Sequence, residues 1–314
     1  MKKIFFAIAA LALVSFAHTT HAAQESIAAV VNEDAISASD VAARTRLMVV
    51  SAGLPDNAEM RAHVLPQVID ALIDERIMIQ AGAKNKVTIT DADIEKGFET
   101  ISGQNKFTVE QFKGILHQQK IPVKTIEDQI RSQMAWTHVV QTVLRPKVEV
   151  TDFDVDAALQ RLEAQKGKTQ YLVAEIYLPV DNTRKEADVS ALAQRLTQEI
   201  TQNHAPFPRV AAQFSAGAGA ARGGDRGWVL EGQLPQELDT ALASMNEGDL
   251  SRPIRTLSGY YILMVRKKNI LTDETMPNRD TVFEKLGLEQ LDRLQRGYLM
   301  DLRAAAFIDR RNGV

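Results

Sequence analysis

Gly223-Gly224-Asp225-Arg226-Gly227-Trp228, with Ser258-Gly259-Tyr260-Tyr261-Ile262-Leu263 further along, decides the reading of this chain. The glycines of the first stretch mark turns, because glycine takes positive φ without a steric penalty. Gly227 to Leu230 and Gly259 to Arg266 then read as strands. Working outward, Tyr171 to Val180 is a third strand, and Ala187 to Ile200 is a helix with Leu192, Leu196 and Ile200 on one stripe. Phe207 to Phe214 and Leu234 to Met245 are shorter helices. The order strand, helices, strand, helix, strand suits a small α+β domain. The polar run Gln165-Lys166-Gly167-Lys168-Thr169-Gln170 precedes it as a linker, and Asn269 to Arg279 follows it as a loop.

Upstream the pattern changes to helices. Ile27 to Val31 is a short apolar run, and Asn32-Glu33-Asp34 reads as a turn. Ser37 with Asp40 announces a helix over Val41 to Ser51, since the hydroxyl caps exposed N–H groups and the acid returns the bond. Thr90 with Asp93, Thr108 with Gln111, Thr125 with Asp128 and Thr151 with Asp154 repeat that signal. Between them, Val64, Leu65, Val68, Ile69, Leu72, Ile73, Ile77 and Met78 recur at helical spacing. Pro66 lies inside this run and predicts a kink or break near Val64, because proline lacks the N–H and clashes with the preceding turn. Residues 27 to 165 are therefore largely helical. After the second loop a helix from Thr281 carries Phe283, Leu286, Leu291, Leu294 and Leu299, and Ala306-Phe307-Ile308 follows it.

The ends and the composition place the chain. Met1-Lys2-Lys3 and the apolar run Ile4 to Ala17, closing on Thr20-His21-Ala22, read as a secretory signal peptide cleaved after Ala22. That run is shorter than the ~20 residues a bilayer span needs. Removing 22 residues from 314 leaves 292, enough for about two domains. Losing Lys2 and Lys3 leaves 35 basic against 40 acidic side chains, a net charge of −5 that favours neither nucleic acid nor an anionic membrane. Cysteine is absent, which excludes a thiol nucleophile, a disulfide and a lipidated cysteine. The expectation is a soluble periplasmic protein that does not insert stably into a membrane.

Ile27-Ala28-Ala29-Val30-Val31-Asn32-Glu33, then Ile36 to Val41, and Leu72-Ile73-Asp74-Glu75-Arg76-Ile77-Met78-Ile79-Gln80-Ala81 closely resemble the SurA family of periplasmic chaperones. The two stretches quoted first resemble a parvulin-type peptidyl-prolyl isomerase domain within that family. The resemblance covers nearly the whole mature chain, although the best-known members carry two parvulin domains and this chain has room for one. It implies an α+β fold: a largely helical N-terminal chaperone domain completed by a C-terminal helix and strand, plus one small α+β parvulin domain. The expected division is signal peptide 1–22, helical SurA N-terminal domain 23–167, parvulin-like domain 168–268, and C-terminal helix and strand 269–314, with Ala306 to Arg310 beside Ile27 to Val31. It also implies that the chain holds unfolded or extended polypeptides, namely aromatic-rich outer-membrane β-barrel proteins during their assembly.

Parvulins twist an X-Pro amide in an apolar pocket beside two histidines and a cysteine or aspartate; no covalent chemistry is required. Matching Val173-Ala174-Glu175-Ile176-Tyr177-Leu178 to the first parvulin strand puts Glu175 at the first histidine. Tyr261 falls at the second, and Gly217 of Phe214-Ser215-Ala216-Gly217 at the acid or thiol. Trp228, Leu238 and Tyr260 are the expected peptide and proline pocket. Glu175 and Tyr261 are expected to face each other and share a hydrogen bond. No residue is assigned as catalytic, and the parvulin domain is expected to be inactive or weakly active. The alternative is an active peptidyl-prolyl cis-trans isomerase acting on exported proteins, and a third reading is a scaffold for one folded partner. No cofactor is expected. His63, His117, His138 and His204 lack ligand spacing, so no metal is expected. Gly217-Ala218-Gly219-Ala220-Ala221-Arg222-Gly223 leads into a strand and not a helix, which excludes a dinucleotide loop, and no Gly-x-Ser-x-Gly elbow supports a serine hydrolase.

Overall fold

The computed structural model describes residues 26–180 and 185–311; the expected leader and its cleavage site lie outside them. Strands β1 (Ile27–Val31) and β2 (Asp34–Ser37) form a hairpin. Its turn places Asn32 at φ 55°, a left-handed conformation that asparagine tolerates better than most residues. The strand β2 was hidden in sequence because four residues give alternation little to show. Ser37 and Asp40 form the reciprocal cap that opens α1 (Ala38–Ser51).

Helix α2 (Ala58–Lys84) runs through Pro66 without a break, contrary to one form of the expectation. Proline removes one backbone bond, but Met60, Val64 and Val68 are all fully buried and hold both sides of it in one helix. Helices α3 (Asp91–Gln104) and α4 (Val109–Gln118) open on the capping boxes of Thr90 with Asp93 and Thr108 with Gln111. The fourth signal fails. Helix α5 (Val123–Val139) starts after Pro122, whose φ of −59° already suits a helix, so Thr125 and Asp128 lie inside it. It continues into a π-helical turn at Val140–Leu144 and a 3-10 turn at Arg145–Lys147. Thr151 and Asp154 cap α6 (Asp152–Glu163).

The second half comprises β3 (Thr169–Pro179), α7 (Glu186–Gln202), α8 (Phe207–Phe214), β4 (Asp225–Leu230), α9 (Gln236–Ala243), β5 (Ile254–Thr256) and β6 (Gly259–Ile270). Its sheet has the order β4-β3-β6-β5, with every neighbouring pair antiparallel. The short strand β5 was not legible in sequence. One face of the sheet, with Ala174, Ile176, Leu178 and Ile262, packs under α7 and α8, in the same core that holds Val41, Met48, Val64 and Ile73 of the helical half. Gln67 of α2 also donates a hydrogen bond to the Phe214 carbonyl at 2.7 Å. The two halves therefore share one apolar core.

The chain returns to its beginning. Helix α10 (Arg279–Ala305) stacks Tyr298 on Trp136, with ring centroids 6.0 Å apart. Strand β7 (Ile308–Arg310) pairs antiparallel with β1, Val30 opposite Asp309, and completes the sheet β2-β1-β7. Two short strands that would be unstable alone thus close one helical domain across the length of the chain. Arg303 binds Asp70 at 2.5 Å and also Asp74, and Arg310 binds Asp70, so charge pairs reinforce the closure.

Candidate functional site

Alternation along β3 puts Glu175 and Tyr177 on the face opposite Ala174, Ile176 and Leu178. On β6 the same rule brings Tyr261 and Leu263 to that face and sends Tyr260 to the other. A floor of Tyr171, Val173, Val229, Leu234, Leu238, Leu242, Leu263 and Val265 underlies the face, with α9 supplying Leu238 and Leu242. The antiparallel register sets Tyr177 directly across from Tyr261, and Glu175 across from Leu263.

Glu175 is tied on both sides. Its N–H donates to the Gly224 carbonyl at 2.8 Å, an approach that needs glycine: Gly224 has φ +85°, and a Cβ there would lie 2.6 Å from the Glu175 carbonyl oxygen. Its carboxylate binds Arg226 at 2.5 Å. The Glu175 side chain is 7% exposed and the Arg226 side chain 33%, so the anion lies inside and the cation towards solvent. Arg226 reaches inward from a bulge, where β3 and β4 shift register between Val173 and Ala174.

The expected Glu175–Tyr261 hydrogen bond is not formed, because each group has another partner. The Tyr261 ring stacks on Tyr177 at 4.6 Å between centroids and 21° between planes. Its hydroxyl lies 3.4 Å from the Ser258 hydroxyl, and the Tyr177 hydroxyl donates to the Ser258 carbonyl at 3.0 Å. Glu175 is diagonal to Tyr261, near enough to raise the phenol's pKa electrostatically while Arg226 lowers it. Burial is the largest influence and raises it further, so the phenol stays protonated near neutral pH.

Gly217 completes the group. The Ser215 hydroxyl accepts hydrogen bonds from the N–H of Tyr177 (3.0 Å) and Gly217 (3.1 Å), which latches this loop onto β3. A Cβ on Gly217 would lie 2.9 Å from Glu175 Oε1. The structure thus gathers Glu175, Gly217 and Tyr261 on one face, with Leu238 in its floor. Trp228 and Tyr260 are placed elsewhere. Trp228 alternates with the buried Val229 and is paired with Leu172 on the opposite face. Tyr260 lies under Arg255, 5.4 Å from ring centroid to guanidinium, with its hydroxyl 3.4 Å from Glu186.

Two residues of the face escaped the sequence reading. Tyr177 is two positions beyond Glu175 and so had to share its face, a signal that was available. Arg226 lies inside the glycine stretch, where turn formation accounts for the pattern and gives no sign of a cation reaching Glu175. Chemically, the face offers a fixed ion pair, two phenols and an apolar floor. No imidazole, thiol or unpaired carboxylate stands among its described residues to move a proton near neutral pH.

Comparison with known proteins agrees with both halves. Residues 24–141 match the SurA N-terminal domain, and residues 175–267 match the PPIC-type PPIASE (rotamase) domain. Chaperone SurA of Pseudomonas aeruginosa is 30% identical over 310 aligned positions, covering 91% of this chain and 73% of that protein. Chaperone SurA of Salmonella paratyphi A is 30% identical over 273 positions, covering 84% of this chain and 62% of that protein, so the chain spans less than two thirds of that relative. A solved PpiC-type peptidyl-prolyl cis-trans isomerase domain is 34% identical, covering 34% of this chain and 97% of its own, with a TM-score of 0.32. The chain belongs to the SurA family and joins a SurA N-terminal domain to a PPIC-type parvulin domain.

Proposed function

We propose that this protein is a periplasmic chaperone that holds unfolded outer-membrane proteins during their assembly, and that its parvulin domain binds peptide without appreciable isomerase turnover. The observation that carries the reading is the exchange on the parvulin face. Where the family resemblance places two histidines and a cysteine or aspartate, Glu175 is locked to Arg226, Tyr261 is stacked on Tyr177 and Gly217 offers no side chain, while Leu238 alone of the expected pocket underlies the face. The half-buried Tyr177, Ile254 and Tyr261 leave apolar surface that gains from being covered by an apolar residue of a client. The fixed charges are a poor environment for twisting a desolvated X-Pro amide. Exposed apolar side chains on the helical half, including Phe153, Phe283, Leu288, Met300 and Phe307, give an unfolded chain further places to bind.

A second reading, an active peptidyl-prolyl isomerase, is favoured by the rotamase match over residues 175–267. The two are separated by assaying the purified protein in parallel for isomerisation of a proline peptide and for suppression of porin aggregation. Suppression with background isomerisation is the expected result. Robust turnover without suppression would overturn it.

A further inference from the structure

Arg226 has donors to spare. A guanidinium carries five N–H donors in one plane, and Glu175 takes only one Arg226 nitrogen; the others have no hydrogen-bond partner among the described residues. Because Glu175 is buried beneath it, the guanidinium is anchored at one nitrogen and presents its remaining donors to solvent. The acid next to it is engaged elsewhere: Asp225 lies 3.4 Å from Arg266 and accepts the Gly227 N–H at 3.1 Å. The Tyr261 phenol is kept neutral by burial and adds no negative charge. On the same face lie the stacked, half-buried rings of Tyr177 and Tyr261, near enough for the charge of Arg226 to act on the Tyr261 phenol.

We propose that Arg226 is a specificity-determining residue of the parvulin face, taking a carboxylate of the bound peptide next to an apolar residue that covers the Tyr177 and Tyr261 rings. The inference rests on the reading of this face as a peptide-binding surface. A guanidinium fork matches a carboxylate with two parallel hydrogen bonds, geometry that a lysine ammonium cannot reproduce. Anchoring by Glu175 also lowers the side-chain ordering that binding would otherwise require. The carboxylate comes either from an aspartate or glutamate side chain or from a free peptide C-terminus.

The test measures binding of three fluorescent peptides to the intact protein. One has a central Glu-Pro and one a central Gln-Pro, both acetylated and amidated; the third is the Gln-Pro peptide shortened to end in a free carboxylate after proline. The Glu-Pro peptide, the free-acid peptide, or both should bind about tenfold tighter than the blocked Gln-Pro peptide, a preference that shrinks as salt rises. Which of the two carries the preference identifies the source. Arg226→Gln should abolish it. Arg226→Lys keeps a cation opposite Glu175, guards against a folding defect and should lose most of the preference, whereas Arg266→Gln should retain it. Equal binding of all three peptides, or a preference that survives both Arg226 variants, would overturn the inference and leave the peptide-binding reading standing. No binding of any peptide would overturn both.

Discussion

Tyr177 and Tyr261 occupy directly opposed positions on β3 and β6, with ring centroids 4.6 Å apart, and both hydroxyls converge on Ser258. Stacked aromatic pairs across antiparallel strands contribute beyond their buried area, by about 0.5–1.5 kcal/mol. A double-mutant cycle with Tyr177→Ala and Tyr261→Ala should therefore return a coupling energy of about 1 kcal/mol in urea unfolding. Additive single effects would show that the rings merely lie near one another.

Arg44 and Glu75 pair inside the helical domain, with Arg44 also donating to Gln129 at 2.6 Å. Burial pushes the Glu75 carboxyl above its ordinary range and outweighs the opposing attraction of Arg44. The folded protein therefore binds more protons than the unfolded chain between the unfolded and folded pKa values of Glu75. This contribution to stability is complete below the unfolded pKa and is lost as pH rises through the folded pKa. Unfolding free energies measured across the mildly acidic range should show that slope, and Arg44→Met/Glu75→Leu should remove it at little or no cost in stability. Glu75→Leu alone should cost about 3–5 kcal/mol, because it strands a buried guanidinium.

The parts of the fold that were legible in the sequence are those set by neighbours. Ser37 with Asp40, and Thr90, Thr108 and Thr151 with their partners three residues on, are complete local devices, and all four form. Thr125 with Asp128 carries the same signal and loses to Pro122, which starts the helix earlier. Adjacent residues on a strand point to opposite faces, so Tyr260 and Tyr261 could not both line one pocket; alternation alone should have excluded Tyr260. The Glu175–Arg226 pair was beyond reach for a different reason. It joins residues 51 apart in sequence, and the bulge between Val173 and Ala174 sets the register that brings them together. Gly227, at φ 79°, is a local mark of that bulge, but which strand it would pair with, and so which residue Arg226 would reach, is set only by the sheet.

Asp70 sits under the C-terminal closure, buried and bound by both Arg303 and Arg310. Asp70→Ala leaves two partly buried guanidinium groups without that carboxylate and should cost about 3 kcal/mol or more. Because β7 pairs with β1, the loss should appear as faster hydrogen exchange at Ala29 to Val31 as well as a lower Tm. Truncation before Leu299 should do the same more strongly. Unchanged exchange in β1 after truncation would mean that β7 is not needed to hold that strand.

Glu175 separates a structural role from a catalytic one. Its carboxylate anchors Arg226, accepts no hydrogen bond from Tyr261 and has Gly217 at its other oxygen. Glu175→Ala removes the anchor, opens a small void beside Gly217 and frees Arg226 to move into solvent, so that the cation is not left stranded. The expected destabilisation is about 1–3 kcal/mol, as for the loss of a partly buried charge-assisted hydrogen bond. Isomerisation of a proline peptide should stay at the background of the parent protein, because the carboxylate is committed to Arg226. Glu175→Gln, which keeps the shape and can still accept from Arg226, should recover most of the stability. A parent activity well above background that vanishes in Glu175→Ala and also in Glu175→Gln, both still folded, would make this carboxylate catalytic and end the reading of the pair as a structural lock.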